Sequence, residues 1–362
     1  MCQVKKQLKI SAWNIRGLGE KVRDKQFIEN IDSDINILLE TWKGETQQFT
    51  VNDYLTINKC RKRNARAKRF SGGIIIAYKK HIHKGLHYIE KGTNSPNRLW
   101  LKLDKNYFGF KNNVYVGCIY LPPISSNHYD DDMLNLENEI NHFNNKGEVL
   151  LLGDFNARTA CDIDFIEKDS IDLNQFTNDN ILPENYPIDF TYKRNSLDQV
   201  INMQGKNLLN LCISARLRML NGRYIGDLMG NYTCISNNGY STVDYCIASE
   251  SLLSSVLYFK TGIFSYLSDH AKIEVHLKCN IDVKNNNLIS KEWKNCEKYI
   301  WKEESKTLLL KYLATEKMKD EILYIENKKF SQNQEGVDEA TKIITDLMVN
   351  ITENCCKHIT IT

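Results

Sequence analysis

Apolar residues in this chain come in two arrangements, and the change falls near residue 280. Before it, short apolar runs stop at a polar residue, the pattern of buried strands with exposed ends. The clearest is Leu150-Leu151-Leu152-Gly153-Asp154-Phe155-Asn156, where a fully apolar run meets an Asp-x-Asn pair. Strands are predicted at Ile10–Asn14, Ile35–Glu40, Leu99–Leu103, Val114–Tyr120, Glu148–Gly153, Tyr232–Ser236 and Ile273–Leu277, and Thr242–Ile247 sets Asp244 in an apolar context. Three helical faces stand between them: Phe27, Ile28 and Ile31; Met133, Leu136, Ile140 and Phe143, opened by Asp130-Asp131-Asp132; and Leu197, Val200, Ile201, Leu208, Leu209 and Cys212. An acidic cluster suits the positive end of a helix dipole. The pattern alone specifies a mixed α/β protein with many strands.

After Lys278 a polar stretch, Asn280–Asn287, reads as a linker. Trp293, Tyr299, Ile300, Leu308, Leu309, Tyr312 and Leu313 then recur at helical spacing, followed by Val337, Ile343, Ile344, Leu347, Met348 and Ile351. The expected organisation is one domain over residues 5–278, a linker over 279–290 and a helical tail over 291–362.

Composition narrows the chemistry only a little. The 48 basic and 45 acidic residues leave a net charge of +3, so any nucleic-acid footprint must be local. Such a footprint is present: Lys59, Arg61, Lys62, Arg63, Arg66, Lys68 and Arg69 stand together with no acidic residue among them. A solvated loop or a nuclear-localisation signal is the plain alternative. The 11 cysteines form no Cys-x-x-Cys pair or zinc-like spacing, and no apolar run reaches membrane-spanning length. A reduced, intracellular protein is expected, in the nucleus, with its cysteines packed as small hydrophobes.

Polar residues at strand ends are the candidate chemistry. Asn14, Glu40, Asp154 with Asn156, Asp244 and the Ser268-Asp269-His270 segment each close or precede an apolar run. Taken singly, each is as readily a turn former or a cap. Taken in order, Trp13-Asn14, Leu38-Leu39-Glu40-Thr41, Gly153-Asp154-Phe155-Asn156, Val243-Asp244-Tyr245 and Ser268-Asp269-His270 resemble the endonuclease/exonuclease/phosphatase superfamily. With Ser71-Gly72-Gly73, Tyr120-Leu121-Pro122-Pro123 and Leu220-Asn221-Gly222-Arg223, the set looks like the endonuclease domain of LINE-type (non-LTR) retrotransposon polyproteins.

That resemblance implies a DNase I-like four-layer sandwich of two packed mixed β-sheets flanked by helices, followed by the C-terminal helical tail. It also implies Mg2+, with Mn2+ as a substitute, held by Glu40, Asn14 and Asp269. Asp154, Asn156, His270, Asp244 and Tyr120 would be catalytic: Asp154 on the attacking water, Asn156 positioning it, Tyr120 and His270 on the phosphate, and Asp244 orienting His270. Either Asp154 or His270 can serve as the base. The substrate would be double-stranded DNA, tracked by Arg61, Lys62, Arg63, Arg66, Lys68 and Arg69, with Arg223 and Thr233 as further contacts. A reverse transcriptase would be the partner domain in an intact element. Two positions depart from the superfamily pattern: Arg16 replaces an aspartate usual in abasic-site nucleases, and Lys272 replaces a proline after the late histidine. An abasic-site repair nuclease, a phosphatase and a non-catalytic DNA-binding remnant of a retroelement are the competing readings.

Overall fold

The computed structural model describes residues 4–44, 49–61, 70–126, 132–166, 193–282, 296–331 and 333–361. The chain divides into a unit over Met1–Asn286 and a second over Asn287–Thr362. The strands of the first unit begin β1 (Val4–Asn14), β2 (Ile35–Leu39), β3 (Tyr54–Lys59), β4 (Ile74–Lys79), β5 (Leu86–Tyr88), β6 (Arg98–Leu103) and β7 (Val114–Tyr120). They continue as β8 (Glu148–Asp154), β9 (Leu217–Met219), β10 (Cys234–Ser236), β11 (Gly239–Ser241), β12 (Asp244–Ser249), β13 (Val256–Thr261) and β14 (Ile273–Asp282). Helices α1 (Lys25–Glu29), α2 (Lys105–Phe108), α3 (Asp132–Asn144) and α4 (Met203–Ser214) lie between them.

Two six-stranded mixed sheets result, in the orders β13-β14-β1-β2-β4-β3 and β5-β6-β7-β8-β12-β9. Alternation along the strands explains why they stack. Leu8, Ile10, Ile37 and Ile76 of the first sheet meet Leu101, Val116, Leu150 and Leu152 of the second in one buried cluster. The opposite face of the second sheet places Trp100, Val149 and Leu151 against Leu136, Ile140 and Phe143 of α3 and Leu208 and Cys212 of α4. On the outer side of the first sheet, Trp13, Leu38 and Ile75 cluster with Phe27 of α1. Each fully buried Leu or Ile contributes roughly 1.5–3 kcal/mol relative to exposure. The layers are therefore helix, sheet, sheet, helix, as the DNase I-like sandwich requires.

Three expectations need correction. Leu197 and Val200 do not belong to α4; they sit exposed in the preceding loop. The helix starts after Asn202, whose side chain accepts the Gly205 N–H at 2.7 Å and so fixes the N-terminus there. The strand expected over Ile273–Leu277 extends as β14 to Asp282, which takes in the first residues of the expected linker. Tyr299 and Ile300 lie on a strand rather than a helix, as the second unit shows.

That unit contains β15 (Cys296–Ile300), α5 (Glu303–Leu313), α6 (Glu316–Asn327), α7 (Gln334–Cys355) and β16 (Lys357–Ile361). β15 pairs antiparallel with β16, placing Tyr299 opposite His358. Tyr312 Oη donates to Asn350 Oδ1 at 3.2 Å, tying α5 to α7. Its core is thin: Met318 and Cys355 are buried, while Leu310, Leu323 and Val337 are exposed. No helix among the described residues is long and apolar enough to cross a membrane.

Candidate active site

Six strand ends deliver the polar residues to one place. β1 runs parallel to β2, so Asn14 and the residue after Leu39, Glu40, emerge on the same edge. β7 runs parallel to β8 with Tyr120 opposite Asp154, and β12 runs antiparallel with Asp244 opposite Asp154. Ala12 pairs with Ile273, so the segment before β14, carrying Asp269 and His270, reaches that edge as well. The register between Tyr120 and Asp154 has a steric basis. A Cβ at Gly153, whose φ is 147°, would lie 1.9 Å from the Ile119 carbonyl oxygen of β7. Only glycine permits that approach.

Hydrogen bonds join the two sheets across this edge. Asn14 Nδ2 donates to Asp154 Oδ2 at 2.9 Å and to Glu40 Oε1 at 3.2 Å. Trp42 Nε1 donates to Glu40 Oε2 at 3.2 Å, and the Arg16 N–H donates to Asn14 Oδ1 at 3.1 Å. Asp154 Oδ1 accepts the Asn156 N–H at 2.9 Å, while Asn156 Nδ2 donates to the Leu121 carbonyl at 2.8 Å. His270 Nδ1 stands 2.8 Å from Asp244 Oδ2. Asp269 forms an ion pair with Arg16. Four residues here hold left-handed backbone without being glycine: Arg16 (φ 44°), Glu40 (50°), Trp42 (51°) and Asn156 (46°). Each costs about 1–3 kcal/mol, which the surrounding sheets must offset.

Electrostatics separate the members. Burial and the facing Asp244 carboxylate push Asp154 up to about 7, against the opposing pull of His270. Burial disfavours an imidazolium at His270, yet Asp244 and Asp154 outweigh it and hold the ring well above its ordinary value. Burial, with the charges of Glu40 and Asp154, keeps the Tyr120 phenol far above its ordinary range and therefore neutral. The ligand atoms of Asp154, Asp244 and His270 all lie within 4.8 Å of one another. Carboxylate and carboxamide oxygens are the donors that a hard divalent cation prefers. Glu40, Asn14 Oδ1 and Asp269 offer such oxygens at the same edge, so the donor set fits one.

The structure thus brings Asn14, Glu40, Tyr120, Asp154, Asn156, Asp244, Asp269 and His270 together. The expected DNA contacts fare differently. Lys62, Arg63, Arg66, Lys68 and Arg69 lie outside the described residues. Arg61 is not on an open surface: it is 9% exposed, with Nε donating to Asn97 Oδ1 at 2.7 Å. Arg223 is likewise inward; its guanidinium bonds Asp164 at 2.6 and 3.0 Å and the Met219 carbonyl at 2.7 Å. Thr233 is fully buried, and its hydroxyl accepts the N–H groups of Val243 and Asp244, both at 3.0 Å. Arg223 and Thr233 therefore brace the fold: an ion pair sealed from solvent leaves no guanidinium for a phosphate, and a hydroxyl holding β12 cannot reach a sugar.

Sequence reasoning missed two supports. Trp13 Nε1 donates to the His270 carbonyl at 2.8 Å, and Ser268 Oγ donates to the Asn14 carbonyl at 2.6 Å while accepting the His270 N–H at 3.1 Å. Both flank residues already singled out, so adjacency was the available signal. A groove of about 780 Å3 opens at the other end of β8, lined by Asn112, Glu148, Arg216 and Glu250 among others. Its charges are matched, with Arg216 Nη2 donating to Glu250 Oε2 at 2.7 Å.

No family model matches the chain, and no curated protein matches it. Solved structures do. The AP endonuclease LMAP from Leishmania major is similar with TM-score 0.54 and 14% identity, over 75% of this chain and 88% of that one. The Xenopus laevis APE2 catalytic domain gives 0.53 and 16%, over 76% and 93%. A 3′ phosphatase, NExo from Neisseria, bound to product DNA hairpin, gives 0.50 and 14%, over 75% and 99%. At these identities the likeness is one of architecture: the chain has the DNase I-like fold of two six-stranded mixed sheets between helices.

Proposed function

We propose that this chain is a divalent-metal-dependent endonuclease that nicks DNA, of the kind found in LINE-type retrotransposon polyproteins. One observation carries the reading: residues spread over more than two hundred positions converge, with Asn14 bonding Glu40 and Asp154, His270 bonding Asp244, and the ligand atoms of Asp154, Asp244 and His270 within 4.8 Å of one another. Its neighbours in fold include enzymes named as AP endonucleases, which is consistent with DNA chemistry.

Phosphodiester hydrolysis forms a bond from a water oxygen to phosphorus and breaks the bond to the 3′ oxygen. Asp154, raised by burial and Asp244 toward neutral pH, is suited to take the proton from that water. Asn14 fixes the Asp154 carboxylate, and the Asn156 N–H fixes its other oxygen. His270, kept cationic by Asp244, donates a hydrogen bond to the phosphate as negative charge builds there. Tyr120, held neutral, donates from its hydroxyl to another phosphate oxygen. Glu40, Asn14 and Asp269 would hold Mg2+, or Mn2+ in its place; for Asp269 this means leaving Arg16. The bound ion would neutralise the phosphate and assist the leaving oxygen.

The test is nicking of supercoiled plasmid by purified protein with Mg2+, abolished by EDTA and by His270→Ala. Salt-dependent DNA binding with no nicking at any Mg2+ or Mn2+ concentration would favour the non-catalytic remnant instead. Strong preference for an abasic duplex over an intact one would move the assignment to the repair branch.

A further inference from the structure

The basic run around residues 59–69 marks Arg61 as a backbone contact, yet its surroundings are those of a group that works inside the protein. We propose that Arg61 is a positioning residue for Tyr120, clamping the phenol that contacts the phosphate, and is not itself a DNA contact. This deepens the nuclease reading above and rests on it for the role of Tyr120.

The guanidinium carbon lies 5.1 Å from the centre of the Tyr120 ring, a cation over an aromatic face. Its Nε is anchored by Asn97 Oδ1 at 2.7 Å. The same Asn97 accepts the Tyr120 N–H on its carbonyl at 2.9 Å, so one buried residue fixes both the cation and the backbone beneath the ring. Gly72 closes the assembly. Its φ is +62°, and a Cβ there would sit 2.5 Å from Arg61 Nε, so the backbone lies directly against the guanidinium.

The placement has a chemical consequence at the other end of the ring. The Tyr120 hydroxyl faces the charges of Glu40 and Asp154, whereas the Arg61 charge acts in the opposite sense. A planar cation stacked on the ring holds its angle while the hydroxyl turns from carboxylate to phosphate. Lysine carries the charge but lacks the planar fork that both stacks and bonds to Asn97.

The experiment compares Arg61→Met and Arg61→Lys in the full chain, each with and without Tyr120→Phe, by kcat, KM and salt dependence of nicking. Arg61→Met is expected to lower kcat about tenfold, with KM and the salt slope unchanged. Arg61→Lys should not restore it. In the Tyr120→Phe background the further loss should shrink below about twofold, since the two side chains act as one unit. Equal losses in both backgrounds, or a salt slope reduced by about 0.9 as for one lost phosphate contact, would overturn the proposal.

A readout without DNA separates this proposal from the nuclease reading. In protein labelled with 3-fluorotyrosine, the Tyr120 19F resonance, assigned by its absence in Tyr120→Phe, should shift in Arg61→Met. An unmoved resonance overturns the clamp. A moved resonance in protein that never nicks upholds the clamp and removes the nuclease. Should Arg61→Met not fold, Gly72→Ala, which presses on the guanidinium from outside, must shift the same resonance.

Discussion

Asp154 and Glu274 are both carboxylates on sheet strands, each 1% exposed, and their surroundings treat them in opposite ways. Around Glu274 of β14, His276 Nε2 lies 2.6 Å from Oε1, Lys260 Nζ 3.3 Å from Oε1, and Ser33 Oγ donates to Oε2 at 2.9 Å. Burial alone would raise that carboxyl; His276, Lys272, Ser33 and Lys260 reverse the effect and hold it well below the usual range. Asp154 has a second carboxylate as its facing neighbour and moves the other way. Burial of a charge therefore does not mark a site. Burial that the neighbours leave only partly compensated does: His270 opposes but does not cancel the effect of burial and Asp244 on Asp154.

Asp154→Asn should break the contrast most severely: nicking falls about 10³–10⁴-fold, roughly 4–5.5 kcal/mol of barrier, while urea denaturation shows no loss of stability. Arg223→Ala belongs with Glu274, since it strands the buried Asp164 carboxylate. It should cost about 3–5 kcal/mol of stability and leave the salt slope of DNA binding unchanged; a shallower slope would return Arg223 to the DNA. Glu274→Gln should cost about 1–3 kcal/mol at neutral pH with kcat intact. Because the folded carboxyl lies below its unfolded value of about 4.3, its contribution is complete above that pH and fades below it. The gap between wild type and variant in denaturation midpoint should accordingly narrow as the solution is acidified. Lys260→Ala removes one half-exposed cation among several and should cost less than about 1 kcal/mol in the same assay. A larger cost would mean that Glu274 is balanced as narrowly as Asp154.

Much of this was legible beforehand because strand ends write themselves in sequence. An apolar run that stops at Asn14, Glu40 or Asp154 gives both the element and the direction of its last side chain. Order along the chain then supplied Asp244 and His270. What failed was inference from charge at Arg61 and from resemblance at Arg223 and Thr233. Nothing local reveals that Asn97 or Asp164 waits for either arginine. The start of α4 was misplaced because Leu197 and Val200 match a helical stripe, although Asn202 carries the stronger start signal. The pairing of Tyr299 with His358 joins the two ends of the second unit, a contact that no local window contains.

The left-handed backbone at Arg16, Glu40, Trp42 and Asn156 has a consequence for how this protein ages. Those loops are sprung, and the paired sheets are the frame that keeps them under load. Any drift that loosened the frame would release the spring first, so any activity should disappear at a temperature where the two-sheet sandwich is still intact. Warmed slowly, the site would loosen before the sheets melt.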